Sequence, residues 1–313
     1  MARRGGRGKE ARAVAHWAII ALMSGSGCTR SAPESRAPAE QPAREVAPGV
    51  VSTGHQFMVS IAPDGGTLLT VERRFPVAGG PPTLVILESR RGPDGTWQRP
   101  DTATFSGRWR DIDPAFAPDG RRVWFNSVRP APGRDSTRAD FDIWYVDRAA
   151  NGWGEPQRLP APINTTSGEF FATVTRSGTL YFTVAQTVPV RKSWIVRSRP
   201  LAGGGWAAPE TLTVVNEPPE TASNPFIAPD ESWLVFLAER PDGFGDSDLY
   251  VSERRGRSWS PPRNLGPRVN TALAEFAPSV STDGRMLYFT RMRRGPGGNP
   301  VEERLYEVAF DQR

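Results

Sequence analysis

One short pattern governs what this chain can fold into. Ile61-Ala62-Pro63-Asp64-Gly65-Gly66-Thr67-Leu68-Leu69-Thr70 is an apolar strand end, a tight corner and a second apolar strand. Proline fixes φ at the first corner position, aspartate bonds the backbone ahead of it, and glycine accepts φ above zero. The pattern returns around Asp119, Ser177, Asp230 and Asp283, at steps of 55, 58, 53 and 53 residues. Five copies at a near-constant period mean one supersecondary unit used five times. Because Ser177 fills the same slot, the four aspartates read as turn formers rather than as acids of a site.

Three further markers keep their place in each unit. Trp97, Trp153, Trp206 and Trp259 are each followed three residues later by proline, at spacings of 56, 53 and 53. A short apolar strand follows a polar loop at Thr83–Leu87, Asp142–Val146, Ser193–Val196, Asp248–Val251 and Arg304–Val308. Eight residues before each turn stand Gln56, Asp111, Glu169, Ala222 and Glu275. Two strands flank the corner, a third carries the apolar segment, and a fourth begins at the tryptophan. The expected fold is therefore all-β: a single β-propeller of five blades, each of four antiparallel strands. The tryptophans read as plates between blades. The last unit ends without a tryptophan, while Val46–Phe57 aligns with Leu159–Phe170 and Leu265–Phe276. Val46–Val51 is thus expected to supply the outer strand of the last blade and close the ring from the N-terminus.

Charge is informative only once its distribution is known. The chain carries +5, but Arg3, Arg4, Arg7, Lys9 and Arg12 against Glu10 put +4 of that in residues 1–27, leaving about +1 for the rest. A nearly neutral domain has no electrostatic footprint for nucleic acid. The basic start, the apolar run Ala13–Met23 and the small residues Ser24–Gly27 form a secretory signal peptide over 1–27. That run is too short to span a bilayer, which takes roughly 20 helical residues. Cys28, the single cysteine, stands where a lipoprotein signal places its lipidated residue. Membrane attachment is then expected through a lipid anchor only. Residues 28–44 have no large apolar side chain before the propeller domain at 45–313, and read as a flexible tether. Thr29 beside the cysteine, by resemblance to bacterial sorting signals, points to the periplasmic side of the outer membrane.

The order Asn164…Glu169…Ser177-Gly178-Thr179-Leu180-Tyr181-Phe182, repeated as Asn270…Glu275…Asp283-Gly284-Arg285-Met286-Leu287-Tyr288-Phe289, resembles the WD40-like propeller repeat of TolB-like envelope proteins. Asp142-Ile143-Trp144 and Asp248-Leu249-Tyr250 resemble that family's Asp-Ile-Tyr step. The resemblance covers residues 46–313 and implies an envelope lipoprotein whose propeller works by binding.

Chemistry is expected where the innermost strands enter the channel. Gln56, Asp111, Glu169 and Glu275, with Asp113 and Glu220 close by, form a partial acidic collar at that mouth. Three readings stay open: the acids bond backbone between blades, hold Ca²⁺ with converging oxygens, or act as paired carboxylates on a glycosidic bond. No other cofactor is expected. One histidine, His55, and one cysteine after the signal exclude a Cys/His zinc cluster, and neither a nucleophile elbow nor a phosphate loop is present. The leading expectation is a non-enzymatic module presenting a loop face to an envelope protein or cell-wall glycan. That face would carry Arg129, Arg134, Arg138, Arg191, Lys192 and Arg240. The alternative is a carbohydrate-active enzyme using carboxylates around the channel.

Overall fold

The computed structural model describes residues 41–77, 80–131, 140–186, 192–216 and 221–310. The signal segment, Cys28, most of the tether, Arg134, Arg138, Arg191 and Glu220 lie outside the described residues. Among the described residues no helix is long and apolar enough to cross a membrane.

Five antiparallel sheets stand in chain order around an axis, so the fold is the five-bladed all-β propeller. Their innermost strands are Gln56–Ile61, Asp111–Phe116, Gly168–Val174, Thr221–Ile227 and Ala274–Val280. Each turns at the corner that the sequence marks. In four of the corners the aspartate accepts the N–H two residues ahead, at 2.9 Å from Gly66, 3.0 Å from Arg121, and 3.1 Å from Ser232 and Arg285. These are the turn bonds that make the aspartates structural.

The tryptophan ends the hairpin between third and fourth strands and reaches back to the preceding blade. Trp153 lies edge-on to Phe105 at 6.0 Å and donates Nε1–H to Glu88 at 2.8 Å. Trp206 lies edge-on to Trp124, and Trp259 to Tyr181, both at 6.2 Å. Trp97 joins the cluster that holds Met286 and Tyr288 of the last blade. Four of the five junctions thus bury a tryptophan plate, and at the fifth Phe310 of the last blade lies edge-on to Trp233 at 5.1 Å, which is how radial sheets share one core.

Closure comes from the N-terminus, but not through the expected residues. Arg44 and Glu45 pair with Glu307 and Tyr306, and Val46 N–H bonds Leu305 O at 2.9 Å. The ladder stops there because Ala47 has φ 39° and Gly49 φ 76°, so the chain turns. Val46 and Val51 are instead buried against Tyr288 and Leu305. The alternation of valines signals burial, and here burial occurs in a turn. Arg73 of the first blade and Glu303 of the last add a bidentate pair at 2.8 and 2.9 Å, with Glu303 fully buried.

A second repeated contact ties each inter-blade link to the blade it leaves. The side chain of Asn164 accepts Ile143 N–H at 2.7 Å and donates to Ile143 O at 2.8 Å. Asn216 does the same to Ile195, at 2.9 and 2.8 Å, and Asn270 to Leu249, at 2.8 and 2.9 Å. Ser106 accepts Ile86 N–H and Ser52 accepts Leu305 N–H in the two remaining blades. An asparagine amide here stands in for one residue of a neighbouring strand, extending the ladder where the chain itself has turned away. Replacing Asn270 by alanine leaves the buried Leu249 N–H without its partner, while Leu249 O keeps the N–H of Leu265 at 3.0 Å. We expect a loss of about 1–3 kcal/mol in urea unfolding, and a smaller loss for Asn270→Asp, which keeps the acceptor.

Candidate functional site

Every innermost strand breaks its register at one place. The ladder skips between Phe57 and Val59, Ile112 and Ala115, Phe170 and Thr173, Ser223 and Phe226, and Phe276 and Ser279. At each skip a non-glycine residue takes a left-handed φ: Met58 62°, Asp113 54°, Phe171 54°, Asn224 53° and Ala277 52°. All five lie six residues before the turn slot. Left-handed geometry at such residues costs roughly 1 kcal/mol or more each, so the surrounding structure must hold it. A bulge re-aims one side chain out of the alternation of the strand.

What holds it is legible blade by blade. Met58 N–H is accepted by Thr290 Oγ1 at 2.9 Å, Phe171 N–H by Asn126 Oδ1 at 2.8 Å, and Asn224 N–H by Thr183 Oγ1 at 3.0 Å. In each case the acceptor stands on the second strand of the preceding blade, opposite that blade's own skip. Val71 and Leu237 occupy that place in the first and fourth blades and offer no acceptor. Asp113 and Ala277 are therefore the two bulge residues without this support.

The bulge side chains fill the channel wall. Met58, Phe171 and Ala277 belong to one buried cluster although they come from the first, third and fifth blades. Nearer the turns the channel keeps only about 50 Å³, lined among others by Ser60, Phe116, Thr173, Phe226 and Ser279. Asp113 takes the corresponding place on the second blade, in a wall that is otherwise apolar or neutral at this level. It is 5% exposed. Among the described residues no hydrogen bond or ion pair reaches its carboxylate, and burial pushes it up to about 7 with nothing acting against it.

The other collar residues have a different situation. Gln56 Oε1 accepts Thr53 N–H at 2.7 Å and Thr53 Oγ1–H at 2.8 Å. Glu169 accepts the backbone and hydroxyl of Thr165, and Glu275 those of Thr271, at 3.0 and 2.9 Å from the backbone nitrogens. Arg291 Nε adds a bond to Glu275 at 2.8 Å. Burial raises Glu275, and the Thr271 and Arg291 bonds oppose it. Asp111 is buried against Arg129 and Ser106, both at 2.8 Å; burial raises it too, with Arg129 the main opposing influence. Each of these side chains folds the loop that precedes its own strand. Among the described residues no three carboxylate, imidazole or thiol groups converge as a metal site.

Of the residues expected on one loop face, Arg134, Arg138 and Arg191 lie outside the described residues, and the three described ones differ in exposure. Arg129 is buried, with Nη2 on Phe105 O at 3.1 Å and its plane over Phe125 and Trp144. Arg240 is half-buried over Tyr250 at 5.1 Å, and only Lys192 is exposed. The sequence reasoning named Asp113 but had no account of its bulge. A signal existed: Pro114, Pro225 and Pro278 each follow a bulge residue, five positions before the turn slot. A residue without an N–H fits a place where the ladder skips a bond.

No family model and no curated protein matches the chain. The resemblance to the WD40-like TolB repeat therefore extends no further than the propeller architecture. Solved structures do match. A protein titled a glycoside hydrolase aligns with TM-score 0.56 at 9% identity, over 88% of this chain and 92% of that one. An α-L-arabinofuranosidase from Lactobacillus brevis gives 0.55 at 14%, over 86% and 94%. A GH43 endo-arabinanase from Bacillus licheniformis gives 0.51 at 10%, over 84% and 98%. At these identities the likeness establishes the shared five-bladed fold. These three neighbours are glycoside hydrolases, and the expectation of a non-enzymatic envelope scaffold is corrected on that finding.

Proposed function

We propose that this propeller is a carbohydrate-active enzyme that cleaves glycosidic bonds, with Asp113 as its proton donor. The observation that carries this reading is an unbonded channel-wall carboxyl which burial alone holds near neutrality. A general acid works best when its pKa lies near the operating pH, and perturbed acids in a channel wall mark candidate sites. The shared fold with an arabinofuranosidase and an endo-arabinanase supports the same class and suggests arabinose-containing glycans as first substrates. Glycosidic cleavage takes a second carboxylate. Asp111, two residues upstream on the same strand, is assigned that place. Burial raises both acids, but among the described residues only Asp111 has bonded partners, Arg129 and Ser106, that oppose the rise, so the two differ in what stabilises their ionised form.

Asp113 carries a stability signature as well. Its native value of about 7 lies above the ordinary 3.8, so between these values the folded chain binds a proton that the unfolded chain has lost. Stability from this group is complete below the ordinary value, falls as pH rises toward 7, and is flat beyond. Three units correspond to about 4 kcal/mol. Asp113→Asn removes the titration, so urea unfolding is expected to find the variant more stable than the parent at pH 8 and equal to it near pH 4. A variant no more stable at pH 8 would show that the carboxyl is not held in this way.

Turnover should move in the opposite direction. With α-1,5-arabino-oligosaccharides and an aryl α-L-arabinofuranoside as substrates, activity is expected to decline above pH 7 as Asp113 loses its proton. Asp113→Asn should cut kcat by roughly 10²-fold or more while unfolding no earlier. Full activity in that variant overturns the assignment, and absence of turnover on any arabinan, xylan or galactan overturns the reading.

A further inference from the structure

A large open cleft lies away from the channel, between the turns of the second and third blades. It holds about 900 Å³ and is lined by Ala117–Asp119, Arg121, Arg122, Trp124, Asp147, Arg148, Val174–Arg176 and Gly178. The third blade's turn has no side chain in a place that the fourth blade's turn fills. In the fourth blade the turn's glycine slot is occupied by Glu231, at φ 64°, whose carboxylate accepts the Tyr181 hydroxyl and lies 3.7 Å from Arg197 Nη1. Gly178 fills that slot in the third blade, so the turn itself sends no side chain toward Trp124, which Trp206 of the same blade meets edge-on.

The rim carries an excess of guanidinium. Four arginines against Asp119 and Asp147 leave a formal +2. Arg122 is committed: it grips Asp147 at 2.6 and 2.9 Å and lies over Tyr145 at 3.8 Å. Asp119 Oδ1 is committed to its own turn. Arg121, Arg148 and Arg176 are exposed, and among the described residues none of them forms an ion pair. Arg148 is braced by Trp153, its guanidinium 4.5 Å from the ring centre, which limits the freedom lost when it binds.

We infer that this cleft binds an anionic oligosaccharide through its sugar carboxylates, with Arg148 and Arg176 as the carboxylate-reading residues. Guanidinium pairs recognise carboxylate in a fixed bidentate geometry. The apolar lower wall from Ala117, Pro118 and Val174 suits the C–H face of a pyranose better than it suits the peptide groups of an acidic chain, which would be left unbonded there. The choice of a glycan rests on the carbohydrate-active reading above and adds a uronate-bearing stretch to the polymer that is cleaved.

The test is titration calorimetry on the full chain with hexagalacturonate, the same hexamer reduced to neutral galactose units, and hexaglutamate. Expected are binding of hexagalacturonate that weakens with salt, none of the neutral hexamer, and a loss of roughly tenfold or more in each of Arg148→Ala and Arg176→Ala. Both side chains are exposed, so melting temperatures should not change. No binding, equal binding of hexaglutamate, or binding untouched in the double arginine variant overturns the inference. Asp113→Asn should bind like the parent, which separates the two readings. Arabinan turnover without uronate binding sinks only the cleft assignment. Arginine-dependent binding with turnover indifferent to Asp113 sinks only the catalytic one.

Discussion

The ring depends on a bond that its own backbone does not make. Where each fourth strand gives way to the link toward the next blade, the third strand keeps a backbone partner for its C=O but is left with an open N–H inside the core. Asn164, Asn216 and Asn270 answer that N–H and add a second bond to the C=O, each from 21 residues downstream. Ser106 and Ser52 answer the N–H in the first and last blades. A buried amide without a partner costs about 1–3 kcal/mol, so five such positions are comparable with the whole net stability of a domain, about 5–15 kcal/mol. The contact also fixes where the link passes, and hence where the next innermost strand begins. The position of every channel residue follows from it.

Starting there, each innermost strand runs only a few residues before it bulges. The strain of five left-handed residues is distributed around the ring and met unevenly. Thr290, Asn126 and Thr183 each steady the bulge of the following blade, while Val71 and Leu237 do not. At Ala277 this leaves little to consider, since the side chain is a methyl. At Asp113 it puts a carboxyl in the wall with neither a steadied backbone nor a bonded side chain. Fold stability does not call for an acid there, because an amide of the same shape would avoid the cost of burying charge. A residue that the fold would be better without is the kind that function retains.

Much of this was legible in the chain itself. Pro-Asp-Gly corners, tryptophans with a proline three residues on, and the unmatched ends gave five blades with N-terminal closure, because turn chemistry and apolar alternation are local properties. Closure slipped by two residues, to Arg44–Glu45, since polar residues on an outermost strand carry no apolar signature. Asp111 and Asp113 look alike in sequence, two acids two residues apart in one strand. What separates them is non-local: Arg129 lies 18 residues from Asp111 and reaches it through a third element's packing, and a bulge is a fact about the partner strand's register. Arg129 itself looked like a surface charge for the same reason. The hydrolase propellers share 9–14% of their residues with this chain, too little for sequence to indicate their company.

Repetition explains the scaffold, and departures from it locate the chemistry. A ring of identical blades would present the same wall five times and select no ligand. In this chain two blades depart. The second places Asp113 in a bulge position otherwise held by Met, Phe, Asn and Ala, and the fourth places Glu231 in a turn slot that the other four fill with glycine. The junction between the second and third blades, beside Trp124 and Gly178, stays open. At the third-to-fourth junction the same space is closed by Glu231, Tyr181 and Arg197. Glu231 accepts left-handed strain in a slot glycine fills without cost, so closure there is maintained against local preference. The open junction beside it follows local preference, and its unpaired arginines face water. Each departure thus changes one place on a rigid ring and leaves the rest of the scaffold as it was.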